Sequence, residues 1–441
     1  MNLKQTFKIT TLGCKVNQCE SDAICRSLQT KGITFKSDDM PPDIYIVNTC
    51  TVTHKASMQS RQAIRKAIKT YPKAKIIVTG CYAQTAPQEL AEIDGVSAVI
   101  GNTDKLELPE FLTKSDLRAE NPPVIIHHRI SQQTQLKTLP VTAFGSRTRP
   151  FLKIQDGCNA YCTYCIVPYA RGPSRSLPLN AVMKQLAQLN KTGFKEVVLT
   201  GIHLGGYGED LTPQTTLFDL LKTIERIQPL KRVRLSSIEP MELSDDIIGL
   251  VGSSNMFCRH FHLPLQSGDD TILKMMKRPY LSEDFRKKVM QVYHQIPEVA
   301  IGTDVLVGFP GETDDAFNNT LKFISTLPIT YLHVFPFSPR KNTPAYSFSG
   351  KIPERIVKKR CKILRELNQT KKRQFYTQMI GKTVTVLVEG TRDSETGKLK
   401  GFSSNYLPVL LDGNGSLKNI LVQALITKVT FDLKLIAKTK F

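Results

Sequence analysis

The sequence predicts an α/β chain in three parts: an N-terminal doubly wound parallel sheet, a central partial (βα)6 barrel and a small C-terminal antiparallel β-barrel. Two stretches of alternating strand and helix patterns, separated by a polar segment, predict the first two. A valine- and leucine-rich tail punctuated by glycine turns predicts the third.

The first stretch repeats one pattern. Phe7–Leu12 reads as a strand, then Gly13-Cys14, then a helix from about Glu20 to Thr30. Ile44–Val47 reads as a strand, then Asn48-Thr49-Cys50, then a helix from about Lys55 to Lys69. Lys75–Val78 leads through Thr79-Gly80-Cys81 to a short helix near Pro87–Glu92, and a further strand is expected at Ala98–Ile100. The carboxyl ends of such strands share one edge, where ligands bind. Cys14, Cys50 and Cys81 are therefore expected to converge and to ligate an auxiliary [4Fe–4S] cluster with one open iron. Small buried residues at tight turns are the plain alternative, but three such cysteines in successive units favour a shared ligand. Cys19, Cys25, Cys258 and Cys361 lack counterparts in the pattern and read as packing residues.

Residues 116–143 form a polar linker, with an edge strand expected at Val124–Ile126 and solvent-exposed histidines at His127 and His128. Strands are then expected at Phe151–Ile154, Val197–Leu199, Arg232–Leu235, Arg259–Leu263, Ala300–Val307 and Tyr331–Phe335. Polar and glycine-rich runs follow most of these strands, at the face where βα barrels place their active sites. About six strands make a barrel open on one side, which suits a large substrate. The loop after the first strand carries Cys158, Cys162 and Cys165 as C-x3-C-x2-C. Three thiolates on one short loop hold three irons of a [4Fe–4S] cluster and leave the fourth open to a small molecule. A zinc knuckle would call for a fourth ligand in paired groups, for which only the distant His203 offers itself.

The net charge is +21 and the pI about 9.5, which points to a polyanionic partner, with nucleic acid ahead of a membrane surface. The helix expected over Glu354–Tyr376 has a basic face on which Lys358, Lys359, Lys371, Lys372 and Arg373 are candidates for phosphate contact. A solvated charged face is the alternative. In the tail, Phe402 and Tyr406 are candidates for stacking on single-stranded bases or for the barrel core, and Asp412-Gly413-Asn414-Gly415 signals a hairpin. No apolar run approaches the roughly 20 residues that span a bilayer. The charged start lacks an apolar signal region, so a cytoplasmic protein is expected, with its ten cysteines serving as metal ligands or buried thiols.

Two three-cysteine sites in this order, followed by a β tail, resemble the methylthiotransferases of the radical S-adenosylmethionine (SAM) superfamily. Thr11-Leu12-Gly13-Cys14-Lys15-Val16-Asn17-Gln18, Leu199-Thr200-Gly201-Ile202-His203-Leu204-Gly205, Leu235-Ser236-Ser237-Ile238-Glu239-Pro240 and Leu263-Pro264-Leu265-Gln266-Ser267-Gly268 are similar to the branch acting on N6-threonylcarbamoyladenosine (t6A) in tRNA. Cys19 departs from the tyrosine of that branch. The resemblance implies a methylthiotransferase domain over 1–115, the linker over 116–143, a radical SAM core over 144–375 and an RNA-binding TRAM domain over 376–441. It implies methylthiolation of adenine C2 at position 37 of tRNA, with two SAM molecules and sulfur from the auxiliary cluster. A C2–H bond is too strong for acid–base attack, so a radical is needed, and a second open-iron cluster places sulfur nearby. The implied SAM contacts are Tyr164 against the adenine, Arg175 on the carboxylate, and Thr200, Gly201, His203, Ser237, Glu239 and Gln266. The sulfur and electron donors have no motif here. Three other readings stay open: methylthiolation of isopentenyladenosine in tRNA, methylthiolation of a ribosomal-protein aspartate, and a non-catalytic iron–sulfur RNA-binding redox sensor.

Overall fold

Apolar residues on both faces of successive strands build the N-terminal sheet. Ile44, Ile46 and Ile77 join one buried cluster with Phe7, Ile24 and Leu28. Their chain neighbours Val47, Ile76 and Val78 join a second cluster with Ile64 and Tyr82. A strand sends successive side chains to opposite faces, so both faces are packed, as in a doubly wound sheet. The computed structural model describes residues 5–36, 40–114, 123–137 and 147–440. Of the expected linker, residues 123–137 lie among them and both ends lie outside.

The strands are β1 (Thr6–Thr11), β2 (Thr34–Phe35), β3 (Ile44–Thr49), β4 (Lys75–Gly80), β5 (Val96–Ile100) and β6 (Val124–Ile126). They pair in the order β2-β1-β3-β4-β5-β6, all parallel. The two-residue β2 was not expected from the sequence. The first helix, Lys15–Thr30, starts directly after Cys14 rather than near Glu20. Its opening turns bury the polar Asn17, Glu20, Ser21 and Asp22 beside Val16 and Cys19, which breaks the apolar periodicity that marks a helix. His127 and His128 are exposed, as expected, and hydrogen-bond Gln84 and Asp104.

The chain forms two compact units. The first holds the sheet together with residues 155–177 and 338–346, so the three-cysteine loop groups with it across the boundary expected at 144. Strand β7 (Phe151–Lys153) belongs to the second unit, whereas the antiparallel ribbon β8 (Gln155–Asp156) and β9 (Arg175–Ser176) belongs to the first.

The second unit continues with β10 (Glu196–Thr200), β11 (Arg232–Leu235), β12 (His260–His262), β13 (Ala300–Val307) and β14 (Tyr331–Pro336). Parallel sheets ordered β11-β10-β7 and β12-β13-β14 are linked by a bridge between Val233 and Phe257, which gives the expected six-stranded partial barrel. Thr216, Ser244, Asp269 and Thr313 start the helices that follow by accepting backbone N–H groups of the first turn. Among the described residues no helix is long and apolar enough to cross a membrane.

The C-terminal strands β15 (Thr383–Arg392), β16 (Leu399–Ser403), β17 (Pro408–Leu411), β18 (Leu421–Val429) and β19 (Leu435–Lys440) close in the order β15-β16-β17-β19-β18. One pairing, β17 with β19, is parallel. The run Asp412–Gly415 does not make the expected hairpin, because β17 and β18 are not neighbours. Asn414 Oδ1 instead accepts from Ser416 N at 3.1 Å, a 3-10 turn follows, and Asn419 N reaches Val388 O at 2.9 Å, which carries the chain across to pair with β15.

Arginines at the amino-terminal ends of the barrel strands dock this small barrel. Buried Glu196 accepts from Arg232 Nε at 2.6 Å and Arg234 Nε at 3.0 Å. The same guanidinium groups donate to the carbonyls of Thr385, Phe402, Ser403 and Ser404 at 2.9–3.0 Å. Burial opposes the charge on Glu196, but Arg234, Arg232 and Arg149 outweigh it and hold the carboxyl below the usual range. Its stabilising contribution is therefore present above the unfolded value, about 4.3, and is lost as pH falls through the depressed folded value. Glu196→Gln is expected to lower the unfolding free energy by about 3–5 kcal/mol near neutral pH, measured by chemical denaturation, with the difference from wild type shrinking in acid.

Candidate functional site

Cys14, Cys50 and Cys81 stand just past the ends of β1, β3 and β4, neighbours in the sheet. Glycine makes their approach possible. Gly13 has φ +95°, and a Cβ there would lie 2.8 Å from Cys50 Cβ and 2.9 Å from its Sγ. Only glycine takes this conformation freely and leaves that space. Gly80, at φ +99°, turns β4 directly into Cys81, and a Cβ there would meet Asn48 Oδ1 at 2.5 Å. Asn17 ties the strand ends together, its amide donating to Leu12 O at 2.8 Å and Thr49 O at 3.0 Å. Two amides flank Cys81 Sγ: Asn102 Nδ2 lies at 3.6 Å and Asn17 Oδ1 at 3.9 Å.

Two of these thiols, Cys50 and Cys14, resist ionisation by themselves. Burial, then the neighbouring Cys81 thiol, pushes Cys50 up to about 12. Cys14 is raised as well, by crowding of its sulfur first, with Arg171 opposing and Cys81 adding to it. Thiolates, not thiols, bind metal, and metal binding is coupled to their deprotonation. Sulfurs that hinder one another's ionisation are suited to a positively charged iron centre and poorly suited to standing empty as thiolates. The residues present fit an auxiliary cluster.

The second trio is shaped by the β8–β9 ribbon. Gln155 Nε2 donates to Asp156 O, Gly157 O and Ser174 Oγ at 2.8–3.1 Å. Gly157, at φ +76°, passes so close to Pro173 that a Cβ would lie 1.9 Å from its carbonyl oxygen. Cys158 N donates to Gly172 O at 3.1 Å and Cys165 N to Cys162 O at 2.9 Å. Ala160 N approaches Cys158 Sγ at 3.4 Å. Hydrogen bonds to ligand sulfur are among the levers on a cluster's potential. Tyr164 is half-buried on this loop.

Between the trios lies a buried ionic network that sequence reasoning missed. Arg171, 2% exposed, donates to Glu20 Oε1 at 3.0 Å, Asp156 Oδ1 at 2.9 Å and Asn17 Oδ1 at 2.5 Å. Lys105 pairs with Glu20 and donates to Asn102 Oδ1 at 2.8 Å. Two cations thus face two carboxylates, and the network reaches Asn17 and Asn102, the two amides beside Cys81 Sγ. The available signals were Asn17 and Glu20 on the polar first turn after Cys14, and Arg171 four residues before Arg175.

The other expected site residues divide between the units. Arg175, expected on the SAM carboxylate, is buried in the ribbon, with one amino group donating to Arg171 O at 2.6 Å and lying 4.0 Å from Asp156 Oδ2. Its Nε is buried without a hydrogen-bond partner among the described residues. Thr200, Gly201, His203, Ser237, Glu239 and Gln266 all follow barrel strands in the second unit, as expected. Ser237 is exposed, Thr200 is buried, and Glu239 is paired with Arg278. His203 Nε2 lies 2.5 Å from Glu242 Oε1. Gln266, at φ +68°, pairs with β13 through its backbone, Gln266 N donating to Asp304 O at 2.8 Å.

Residues 6–101 match an uncharacterized protein family, UPF0004, and residues 152–324 match the radical SAM superfamily. The threonylcarbamoyladenosine tRNA methylthiotransferase MtaB of Bacillus subtilis is 37% identical over 428 residues, covering 97% of this chain and 94% of the relative. The MtaB of Aquifex aeolicus is 39% identical over 415 residues, covering 93% and 98%. This chain belongs to the radical SAM methylthiotransferases. A tRNA-2-methylthio-N(6)-dimethylallyladenosine synthase of Clostridium tetani is 33% identical over 440 residues, covering 98% and 96%. Among solved structures, the radical SAM methyltransferase TsrM of Kitasatospora setae shares the fold, with a TM-score of 0.58 at 16% identity, covering 78% of this chain and 77% of that one. As a radical SAM methylthiotransferase the chain uses SAM and two [4Fe–4S] clusters.

In this methylthiotransferase, Arg171→Met would leave Glu20 and Asp156 buried without their shared cation. A buried pair broken on one side costs about 3–5 kcal/mol. The expected outcome is an earlier denaturant transition and faster loss of cluster absorbance from the reconstituted protein. Unchanged stability and cluster retention would contradict a structural role for the network.

Proposed function

We propose that this protein methylthiolates C2 of N6-threonylcarbamoyladenosine at position 37 of tRNA. The carrying observation is the presence of both cysteine trios in one compact unit, joined through Arg171. When bound, the clusters and SAM supply the radical and the sulfur. The chain's own residues bind and orient: six thiols hold iron, Asn17 and Asn102 fix the surroundings of Cys81, and Arg171 fixes the base of the Cys158 loop. Five relatives named as acting on threonylcarbamoyladenosine, between 34% and 39% identical, support this substrate. The dimethylallyladenosine branch is the second reading, supported by the relative at 33% identity. Position 37 lies in the anticodon loop, and proteins read RNA sequence mainly in such single-stranded loops.

The decisive experiment reconstitutes the protein anaerobically and counts iron, then repeats with Cys14, Cys50 and Cys81 changed to Ala. About eight irons per chain falling to about four is expected, as two four-iron clusters require. About four in both would remove the auxiliary cluster and the reading with it. Digestion of threonylcarbamoylated tRNA after turnover should release the 2-methylthio nucleoside. Product only from tRNA bearing the dimethylallyl group would move the chain to the other branch.

Of the residues proposed to hold RNA, Lys358 and Lys359 are exposed on the Glu354–Gln378 helix. Arg373 is exposed and donates to Phe431 O at 2.8 Å, and Lys372 is half-buried, its ammonium pushed down by burial. Lys371 is turned inward, donating to Ser325 O at 2.6 Å and Leu327 O at 2.7 Å. Phe402 and Tyr406 stack on each other at 5.2 Å, with Arg149 over one ring and Arg234 over the other. Lys371 and both rings are thus occupied within the fold. Changing Lys358 and Lys359 to Ala should weaken tRNA binding and lower the salt dependence of log Kd by about 1 for each phosphate no longer neutralised. An unchanged salt slope in a filter-binding titration would exclude them.

A further inference from the structure

The barrel of the second unit has a polar inner face that the six thiols do not use. His262 on β12, Gly302 on β13 and Tyr331 on β14 lie in register, as do Asp304 on β13 and His333 on β14, and His260 alternates with His262 on the same face. Gly302 has no side chain, and the Tyr331 ring occupies that space, since a Cβ there would lie 2.1 Å from Tyr331 Cζ. The Tyr331 hydroxyl then meets His260 Nε2 at 2.9 Å and His262 Nδ1 at 3.2 Å. One oxygen, Asp304 Oδ1, lies 2.9 Å from His262 Nε2 and 3.2 Å from His333 Nδ1.

This series of side chains runs from buried to open. The His262 side chain is 8% exposed, Asp304 23% and His333 54%. Next on the same face of β14 is Phe335, an exposed aromatic edge-on to His333 with ring centroids 6.2 Å apart. Alternate residues of a strand share a face, and Leu332 on the other face is buried. Strand residues that face inward yet remain open, one of them a large aromatic, form a surface for a ligand rather than a core. Burial works against the Asp304 charge, but the hydrogen bonds and charge of His262 and His333 outweigh it and hold the carboxyl well below the usual range. A fixed carboxylate orients His333 through Nδ1. When both ring nitrogens carry hydrogen, Nε2 is left to donate outward.

We propose that His333, positioned by Asp304 and flanked by Phe335, is the subsite for the carboxylate of the threonylcarbamoyl substituent. This rests on the substrate reading above and deepens it. The substituent ends in a carboxylate and a hydroxyl, which match an outward N–H donor. A dimethylallyl group has no polar atom, and seating it here would desolvate His333 without giving it a partner. The same histidine therefore accepts one branch's substrate and rejects the other's.

The test measures binding of the reconstituted holoenzyme to a tRNA bearing threonylcarbamoyladenosine and to the same tRNA without the modification, at fixed salt. The wild type should prefer the modified tRNA. His333→Phe should lose roughly tenfold or more of that preference, the scale of a hydrogen bond to a charged group, while keeping its affinity for the unmodified tRNA. Asp304→Asn should lose part of it. If His333→Phe binds neither tRNA it has misfolded, and His333→Gln, which restores polarity without charge, decides by the same ratio. A wild type that neither prefers the modified tRNA nor converts it overturns the substrate reading and this subsite together. A wild-type preference that survives in every variant overturns the subsite alone. His262, Asp304 and His333 also have ligand atoms within 4.8 Å of one another. A metal ion retained after all six cluster cysteines are changed to Ala, and lost in His333→Phe, would assign the group to a cation and overturn the proposal.

Discussion

A single guanidinium, that of Arg171, joins segments the chain supplies from far apart. It reaches the first helix through Asn17 and Glu20 and the base of the three-cysteine loop through Asp156. Lys105 completes the charge balance from the segment after β5. A buried network of this kind is costly when any member is missing and stable only when all are present. The cysteine-bearing turns it braces are therefore held by the protein's own side chains. Arranging the shell around a metal site in advance, and leaving the metal to fill it, is how outer partners fix ligand geometry.

The same device appears in the second unit with a different layout. Its outer face is apolar and covered by helices, while its inner face is lined with paired charges and imidazoles. Glu196 with Arg232 and Arg234 occupies the amino-terminal end of the strands, and His262 with Asp304 and His333 lies further along. Each group is paired, so the barrel keeps a polar interior without burying an unmatched charge.

Much of this was legible in the sequence. Strands alternating with helices gave the sheet, the six-stranded barrel and the placement of each cysteine after its strand, because periodicity and turn residues are local signals. The C-x3-C-x2-C spacing is local as well. What was not legible depends on neighbours distant in sequence. The start of the Lys15–Thr30 helix looked like loop because polar residues, Asn17, Glu20, Ser21 and Asp22, are buried there among apolar ones. Arg171 went unremarked because nothing in its own loop says that it meets Glu20, 151 residues earlier. The Asp412–Gly415 turn chemistry is real, yet the partner of β17 is β19, a pairing that local composition does not encode. Lys371 and Tyr406 were candidates by residue type, and local sequence does not tell that Lys371 donates to Ser325 O and Leu327 O or that Tyr406 lies between Phe402 and His260.

The docking of the small C-terminal barrel governs how this chain can be taken apart and rebuilt. Its β16–β17 turn supplies carbonyl oxygens to Arg232 and Arg234, and Tyr406 lies against His260 with ring centroids 4.7 Å apart. The tail is thus a stopper in the floor of the larger barrel, not a bead on a string. Excising it would leave the Arg232 and Arg234 guanidinium groups without the four carbonyls they donate to, and grafting in the tail of a relative would have to restore those acceptors. Chimeras that exchange RNA specificity between branches would therefore have to carry β10 and β11 along with the tail.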